Sequence, residues 1–187
     1  AVLLANFALV RKHYKVLDLG TGTGVMPLLL ANKAKAIDAL ELNPVMAKLA
    51  ARNMALNQVA DKVVVKEGDL RQIRSLYAPQ QYDLVICNPP YRPVAHGQVN
   101  QLDGVARARH EVTANLADVV EAASFAIKYR GRLAMVHLPE RLGEIFANME
   151  ARKIAPKRLC FVHPRMDKEP TMVLVEGIAG GKQIGRA

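Results

Sequence analysis

Seven short apolar runs punctuate this sequence, and most are separated by a segment whose apolar residues recur at helical spacing. Strands are predicted over KVLDL (15–19), AIDALE (36–41), KVVVKE (62–67), YDLVICN (82–88), GRLAMVHL (131–138), RLCFVH (158–163) and TMVLVEG (171–177). Helices are predicted over 24–34, 43–57, 70–77, 114–129 and 140–153. Asn43 is placed to cap the second of these, with Pro44 at its first position. Strand followed by helix, repeated, requires crossover connections. The expected fold is therefore α/β, with a mostly parallel seven-stranded sheet covered on both faces. The last two strands lie too close for a crossover, so a C-terminal antiparallel hairpin is expected.

The chain has 187 residues and no linker that would divide it, so residues 1–187 are expected to form a single domain. About half of the residues are apolar, enough for a sizeable core. The chain opens inside a helical segment, AVLLANFALV, and stops soon after GGKQIGRA, so truncation at both ends is expected. No apolar window is long enough to cross a membrane, and the N-terminal run lacks the features of a signal peptide. Cys87 and Cys160 both fall in predicted strands and are expected to be buried, reduced thiols in a cytoplasmic protein. The longest segment without a periodic pattern is 91–111, and a loop of that length in a compact domain usually serves function.

The chemistry begins at LDLGTGTG (17–24). Asp18 closes the first strand, and Gly20, Gly22 and Gly24 follow at alternate positions around Thr21. Glycines so spaced let the chain turn sharply and approach a ligand closely, as a nucleotide-binding loop does. A dinucleotide fingerprint places its third glycine one residue later, where Val25 stands. Two more acids fall at successive strand ends. Glu41 ends the second strand, where a carboxylate can accept from both hydroxyls of a ribose, and Asp69, followed by Leu70, comes just after the third.

With an acid before it, this loop resembles the S-adenosylmethionine loop of class I methyltransferases. The resemblance implies a Rossmann-like class I methyltransferase fold and S-adenosyl-L-methionine as cofactor. It also implies that Asp18, Gly20, Thr21, Gly22, Gly24, Glu41, Asp69 and Leu70 bind that cofactor, Asp69 through the adenine amino group.

The fourth strand ends in Asn88-Pro89-Pro90-Tyr91. Two adjacent prolines cannot continue a central strand, because neither donates to the ladder. At this edge they hold two acceptors rigidly, the Asn88 side-chain oxygen and the Pro89 carbonyl. An amine conjugated to a ring or a carbonyl is a poor nucleophile, because its lone pair is delocalised. Two acceptors aimed at its hydrogens favour the tetrahedral nitrogen and stabilise the charge that develops on it. Tyr91 offers a face on which a flat group can stack. No strong general base is required, since the proton can leave after transfer.

The Asn-Pro-Pro-Tyr sequence is similar to that of amino methyltransferases, some of which methylate adenine N6 in RNA or DNA and others a glutamine side chain of release factors. The motif alone does not choose. ARHE (108–111), HLPERLGEI (137–145) and FVHPRMDKEPTMVLVEG (161–177) extend the likeness over nearly the whole chain. They resemble the bacterial tRNA (adenine-N6)-methyltransferase family that modifies a valine tRNA. One departure is KYRGRL (128–133), which lacks the usual Pro-Gly turn.

A formal charge of +9 agrees with a nucleic-acid partner, and the resemblance implies tRNA. Arg92, Arg109 and His110 of the long loop are expected near the substrate, and Arg158 and Arg165 belong to a basic run over 152–168 suited to phosphate contact. No His, Cys or Asp spacing predicts a metal site.

Overall fold

The computed structural model describes residues 1–89 and 114–181. Its strands are β1 (Lys15–Leu19), β2 (Ala36–Glu41), β3 (Val63–Glu67), β4 (Tyr82–Cys87), β5 (Ile127–His137), β6 (Ile154–Val162) and β7 (Met172–Ala179). They form one seven-stranded sheet in the order β3-β2-β1-β4-β5-β7-β6. The first five run parallel, and β7 inserts antiparallel between β5 and β6, which gives the expected hairpin. No helix among the described residues is long and apolar enough to cross a membrane.

Side-chain alternation along the strands builds two cores. Leu17, Leu19, Val85, Cys87, Leu133 and Met135 face α5 (Leu116–Ala126) and α6 (Leu142–Ala151). Val16, Leu84, Ile86, Ala134 and Val136 face the other way, toward α1 (Val2–Phe7), α2 (Val25–Leu30) and α3 (Pro44–Leu56). Caps fix where helices start. Asn43 Oδ1 accepts from the Val45 amide at 2.9 Å, with Pro44 at the first turn as expected. Asn115 and Asp118 close a reciprocal capping box on α5, each bond 2.9 Å long.

Several boundaries differ from expectation. Residues 127–129, expected to end a helix, belong to β5, because Ile127 pairs with Tyr82 on β4. An irregular step then carries the chain through Arg130 at φ +66° before the ladder resumes at Arg132 opposite Leu84. Strand β6 starts four residues earlier than expected, at Ile154 instead of Arg158. It is the outermost strand, so Pro156 costs it no central hydrogen bond. The same edge position leaves Cys160 exposed, contrary to expectation, whereas Cys87 is buried. The expected helix over 70–77 is a 3₁₀ turn (Leu70–Gln72) leading into one α-turn, α4 (Ile73–Leu76).

Candidate functional site

Every strand from β1 to β4 delivers its last residues to one edge of the sheet, and the chemistry gathers there. Gly20, Gly22 and Gly24 all have positive φ, +72°, +58° and +86°. An added Cβ at Gly20 or Gly22 would meet nothing within 4 Å, so at these two the backbone conformation is what demands glycine. At Gly24 space is also short, since a Cβ would stand 2.6 Å from Met54 Cε on α3. The loop is tied down at both ends. The Gly20 and Thr21 amides donate to the Leu40 carbonyl at 2.9 and 3.0 Å, and Asn53 Nδ2 donates to the Thr23 carbonyl at 2.8 Å.

Glu41 braces the loop from β2. Its Oε2 accepts from the Gly22 amide at 2.7 Å and its Oε1 from the Asn43 amide at 2.9 Å. A carboxylate has about four lone-pair sites, so each oxygen keeps room for a further donor. Asp69 caps the 3₁₀ turn through the Arg71 amide (2.9 Å) and accepts from Arg71 Nε at 2.8 Å. The Arg71 side-chain bond is the main reason that its carboxyl lies below the usual carboxylate range.

Asp18 is buried, 1 % exposed, and its Oδ2 has no hydrogen-bond partner, nor does the buried Thr21 Oγ1. Burial pushes the Asp18 carboxyl up to about 7. The Thr21 hydroxyl is near enough to pull this back without completing a bond, and Glu41 adds to the rise. Two orphaned buried polar atoms beside a glycine loop fit a ligand that brings its own polar groups.

Between these elements lies a cleft of about 180 Å³, open to solvent. Gly20, Glu41, Asp69, Leu70 and Pro89 line it, all singled out from the sequence. Asp18, Thr21, Gly22 and Gly24 belong to the adjoining strand end and glycine loop and are not among its lining residues. Leu19, Leu40, Leu42, Gly68, Cys87, Ala114 and Val119 complete the lining and were not singled out. Leu42 and Gly68 had a signal, each being adjacent to a chosen acid. Ala114 and Val119 had none, since only the fold brings α5 over this edge. Its apolar walls with a few convergent polar groups are those of a small-molecule binding site.

Asn88 is half-buried, one residue past the last ladder pair of β4, where Cys87 stands opposite Leu19 and Met135. Pro89 is buried in the cleft wall. Pro90, Tyr91, Arg92, Arg109 and His110 lie outside the described residues.

The basic run over 152–168 does not form one patch. Arg158 Nη1 bonds Glu176 Oε1 (3.3 Å) and the Phe7 carbonyl (3.0 Å), and its guanidinium lies over the Phe7 ring. Its charge is engaged within the fold. Arg152 pairs with Glu121 at 2.9 Å near the opposite edge of the sheet, where β6 begins. Arg165 and Lys168 sit in the β6–β7 turn at the cleft edge, for Val162 pairs with Met172 and Val173 with His137. That turn is closed by the Thr171 amide on the Val162 carbonyl (2.9 Å) and by His163 Nδ1 donating to the Lys168 carbonyl (2.7 Å). Among the described residues no group of three or more His, Cys, Asp or Glu side chains is arranged to hold a metal ion.

The model of the family described as methyltransferase small domain matches residues 1–152. Similar chains include the tRNA1(Val) (adenine(37)-N6)-methyltransferase of Porphyromonas gingivalis, 32% identical over 176 residues, 91% of this chain and 68% of that one. The protein of the same name in Tolumonas auensis is 35% identical over 181 residues, 94% of this chain and 73% of that one. Among solved structures, a predicted O-methyltransferase, Atu636 from Agrobacterium tumefaciens, shares the fold at a TM-score of 0.75 and 22% identity, covering 97% of this chain and 81% of that one.

Proposed function

This chain belongs to the methyltransferase small domain family, and we propose that it transfers a methyl group from S-adenosyl-L-methionine to the exocyclic N6 amine of an adenine in tRNA. The observation that carries the reading is the convergence of Gly20, Glu41, Asp69 and Pro89 on one cleft, with Asn88 at its rim. The relatives named for adenine N6 methylation of a valine tRNA support the choice of substrate.

When bound, S-adenosyl-L-methionine supplies a methyl group on a positively charged sulfur. The residues around the cleft hold it and direct the acceptor. Glu41 accepts from the ribose hydroxyls through the lone pairs that Gly22 and Asn43 leave open. Asp69 would accept from the adenine amino group and Leu70 would offer the ring an apolar contact, since both line the cleft. Asp18, orphaned and buried, and Thr21 take the polar amino-acid end at the glycine loop. Asn88 Oδ1 and the Pro89 carbonyl accept from the two hydrogens of the target amine and stabilise the charge that builds as the methyl group arrives. The proton then leaves to solvent. Tyr91 stacks on the target base, and Arg165 contacts substrate phosphate from the β6–β7 turn. The protein acts in the cytoplasm, where tRNA is available and Cys87 and the exposed Cys160 stay reduced.

The test is methyl transfer from labelled S-adenosyl-L-methionine to bulk tRNA, with nucleosides resolved afterwards. Label in N6-methyladenosine is expected. Label in protein with RNA left unlabelled would overturn the reading in favour of a glutamine acceptor.

A further inference from the structure

Resting on that reading, we propose that the tRNA extends from the cleft down the exposed face of α3 to the opposite edge of the sheet. It is gripped there by a cationic track of Lys48, Arg52, Lys35, Lys33, Lys12 and Arg11. The sequence pointed to 152–168 for phosphate contact, and the fold disperses that run; it assembles this second set from separated segments instead.

The track follows from chain direction. Helix α3 starts at Pro44, just past the cleft end of β2, and runs back along the sheet. Lys48 and Arg52 are exposed and one turn apart, so they lie on one stripe, about 6 Å from each other. Below them lies the edge where β1 and β2 begin. Here the Lys35 amide donates to the Tyr14 carbonyl (2.9 Å) and the Tyr14 amide to the Arg11 carbonyl (2.9 Å). These two bonds set the exposed Arg11 and Lys12 beside the exposed Lys33 and Lys35. The strands between the two edges hold five or six residues, so the edges lie about 17–20 Å apart.

The acids of this side are spoken for. Residues 1–60 carry only Asp18, Asp38 and Glu41. Asp18 is buried, Asp38 pairs with Lys15 at 3.0 Å and accepts from Tyr82 Oη, and Glu41 braces the glycine loop. Among the described residues, Asp61 is the first acid after them and lies at the margin of the patch, next to Lys62, while Asp83, which accepts from the Lys15 amide at 2.8 Å, is paired with Lys128 at 2.7 Å. Among the described residues, none of the six track cations has an ion-pair partner. Cations spaced over such a length, with few unpaired acids beside them, suit a polyanion that is itself long. A structured RNA presents phosphates at that range and a single target nucleotide does not.

The test uses two variants, Lys48→Gln/Arg52→Gln and Lys12→Gln/Lys33→Gln/Lys35→Gln, with S-adenosyl-L-methionine affinity as the check that the fold is kept. Binding of full-length tRNA is measured against salt concentration. Each lost phosphate contact is expected to flatten the slope of log K against log salt by about 0.7–0.9. Methylation of a short stem-loop carrying the target adenine is expected to be unchanged in the triple variant, because the stem-loop does not reach the far edge. An unaltered slope with full-length tRNA overturns the proposal, as does equal loss on the stem-loop. Capture of the wild-type chain by vesicles rich in phosphatidylglycerol, lost in the variants while tRNA binding is kept, overturns it in favour of a membrane surface. If the wild-type chain methylates no tRNA, the proposed function fails, and the salt slope still decides the track.

Discussion

Glu41 Oε2 accepts the amide hydrogen of Gly22 at 2.7 Å, and so β2 holds the glycine loop in shape from nineteen residues away. The same carboxylate is the one placed to meet a ribose. Glu41→Ala therefore removes a ligand contact and a brace together, and S-adenosyl-L-methionine affinity is expected to fall by about 1–3 kcal/mol. Glu41→Gln keeps acceptor oxygen for one of the two jobs and should lose less. Calorimetry on folded Glu41→Ala that returns wild-type affinity would remove Glu41 from the cofactor site.

Asp18 predicts a pH dependence. Its carboxyl, ordinarily near 3.8, is pushed to about 7 by burial. An unfolded chain gives up that proton at the ordinary value, while the native state keeps it. Native stability contributed by the neutral acid is thus complete below about 4 and is lost as pH rises to about 7. Across that window the loss is on the order of 2–4 kcal/mol. Urea denaturation at pH 5, 6.5 and 8 should show Asp18→Asn losing most of this slope. Parallel profiles for mutant and wild type would show that Asp18 ionises in the native state as an ordinary carboxylate.

Glu176 predicts a stability effect without a catalytic one. It is 0% exposed, and Arg132 Nη1 (2.7 Å), Arg158 Nη1 (3.3 Å) and the Leu9 amide (3.1 Å) all meet its carboxylate. This joins the segment after α1 to the hairpin. Removing Arg132 leaves a buried charge poorly compensated, so Arg132→Ala is expected to destabilise by about 3–5 kcal/mol. Arg158→Ala should cost less, since its bond is longer and its side chain more exposed, at 38% against 19%. Chemical denaturation measures both. The salt dependence of tRNA binding should be unmoved in Arg158→Ala; a flattened slope would return Arg158 to the phosphate-binding set.

What could be read from the sequence was what local geometry dictates. Gly20, Gly22 and Gly24 all have the positive φ that their spacing suggested, and Asn43 caps α3 as its neighbour Pro44 indicated. Alternating strands and helices were enough to reach the sheet and its hairpin. What could not be read depends on register and layering. Glu176 lies eighteen residues beyond Arg158, and only the β6–β7 pairing brings them together. Ile127 has the spacing of a helix residue until Tyr82 claims it across the ladder. Ala114 and Val119 enter the cleft wall because α5 packs over the strand ends, which no local pattern reports.

The most decisive substitution is at Asn88. The residue follows the last paired position of β4 and is half-buried, so the backbone ladder of the sheet ends before it. Asn88→Ala is expected to fold, with S-adenosyl-L-methionine affinity only modestly reduced. The single-turnover rate of methyl transfer should fall by about 10²–10³, the loss usual for removing one preorganised polar group aimed at developing charge. Two further variants separate chemistry from shape. Asn88→Asp keeps acceptor oxygens at the same reach and should lose less than Asn88→Ala. Asn88→Gln keeps the amide but displaces it by a methylene, and a misplacement of about 1 Å can itself cost about 10²-fold. Rapid-quench measurement with saturating tRNA and cofactor reads the step directly. Full activity in Asn88→Ala would mean that the prolines merely end a strand, and the amine acceptor would have to be held by residues elsewhere on the cleft rim.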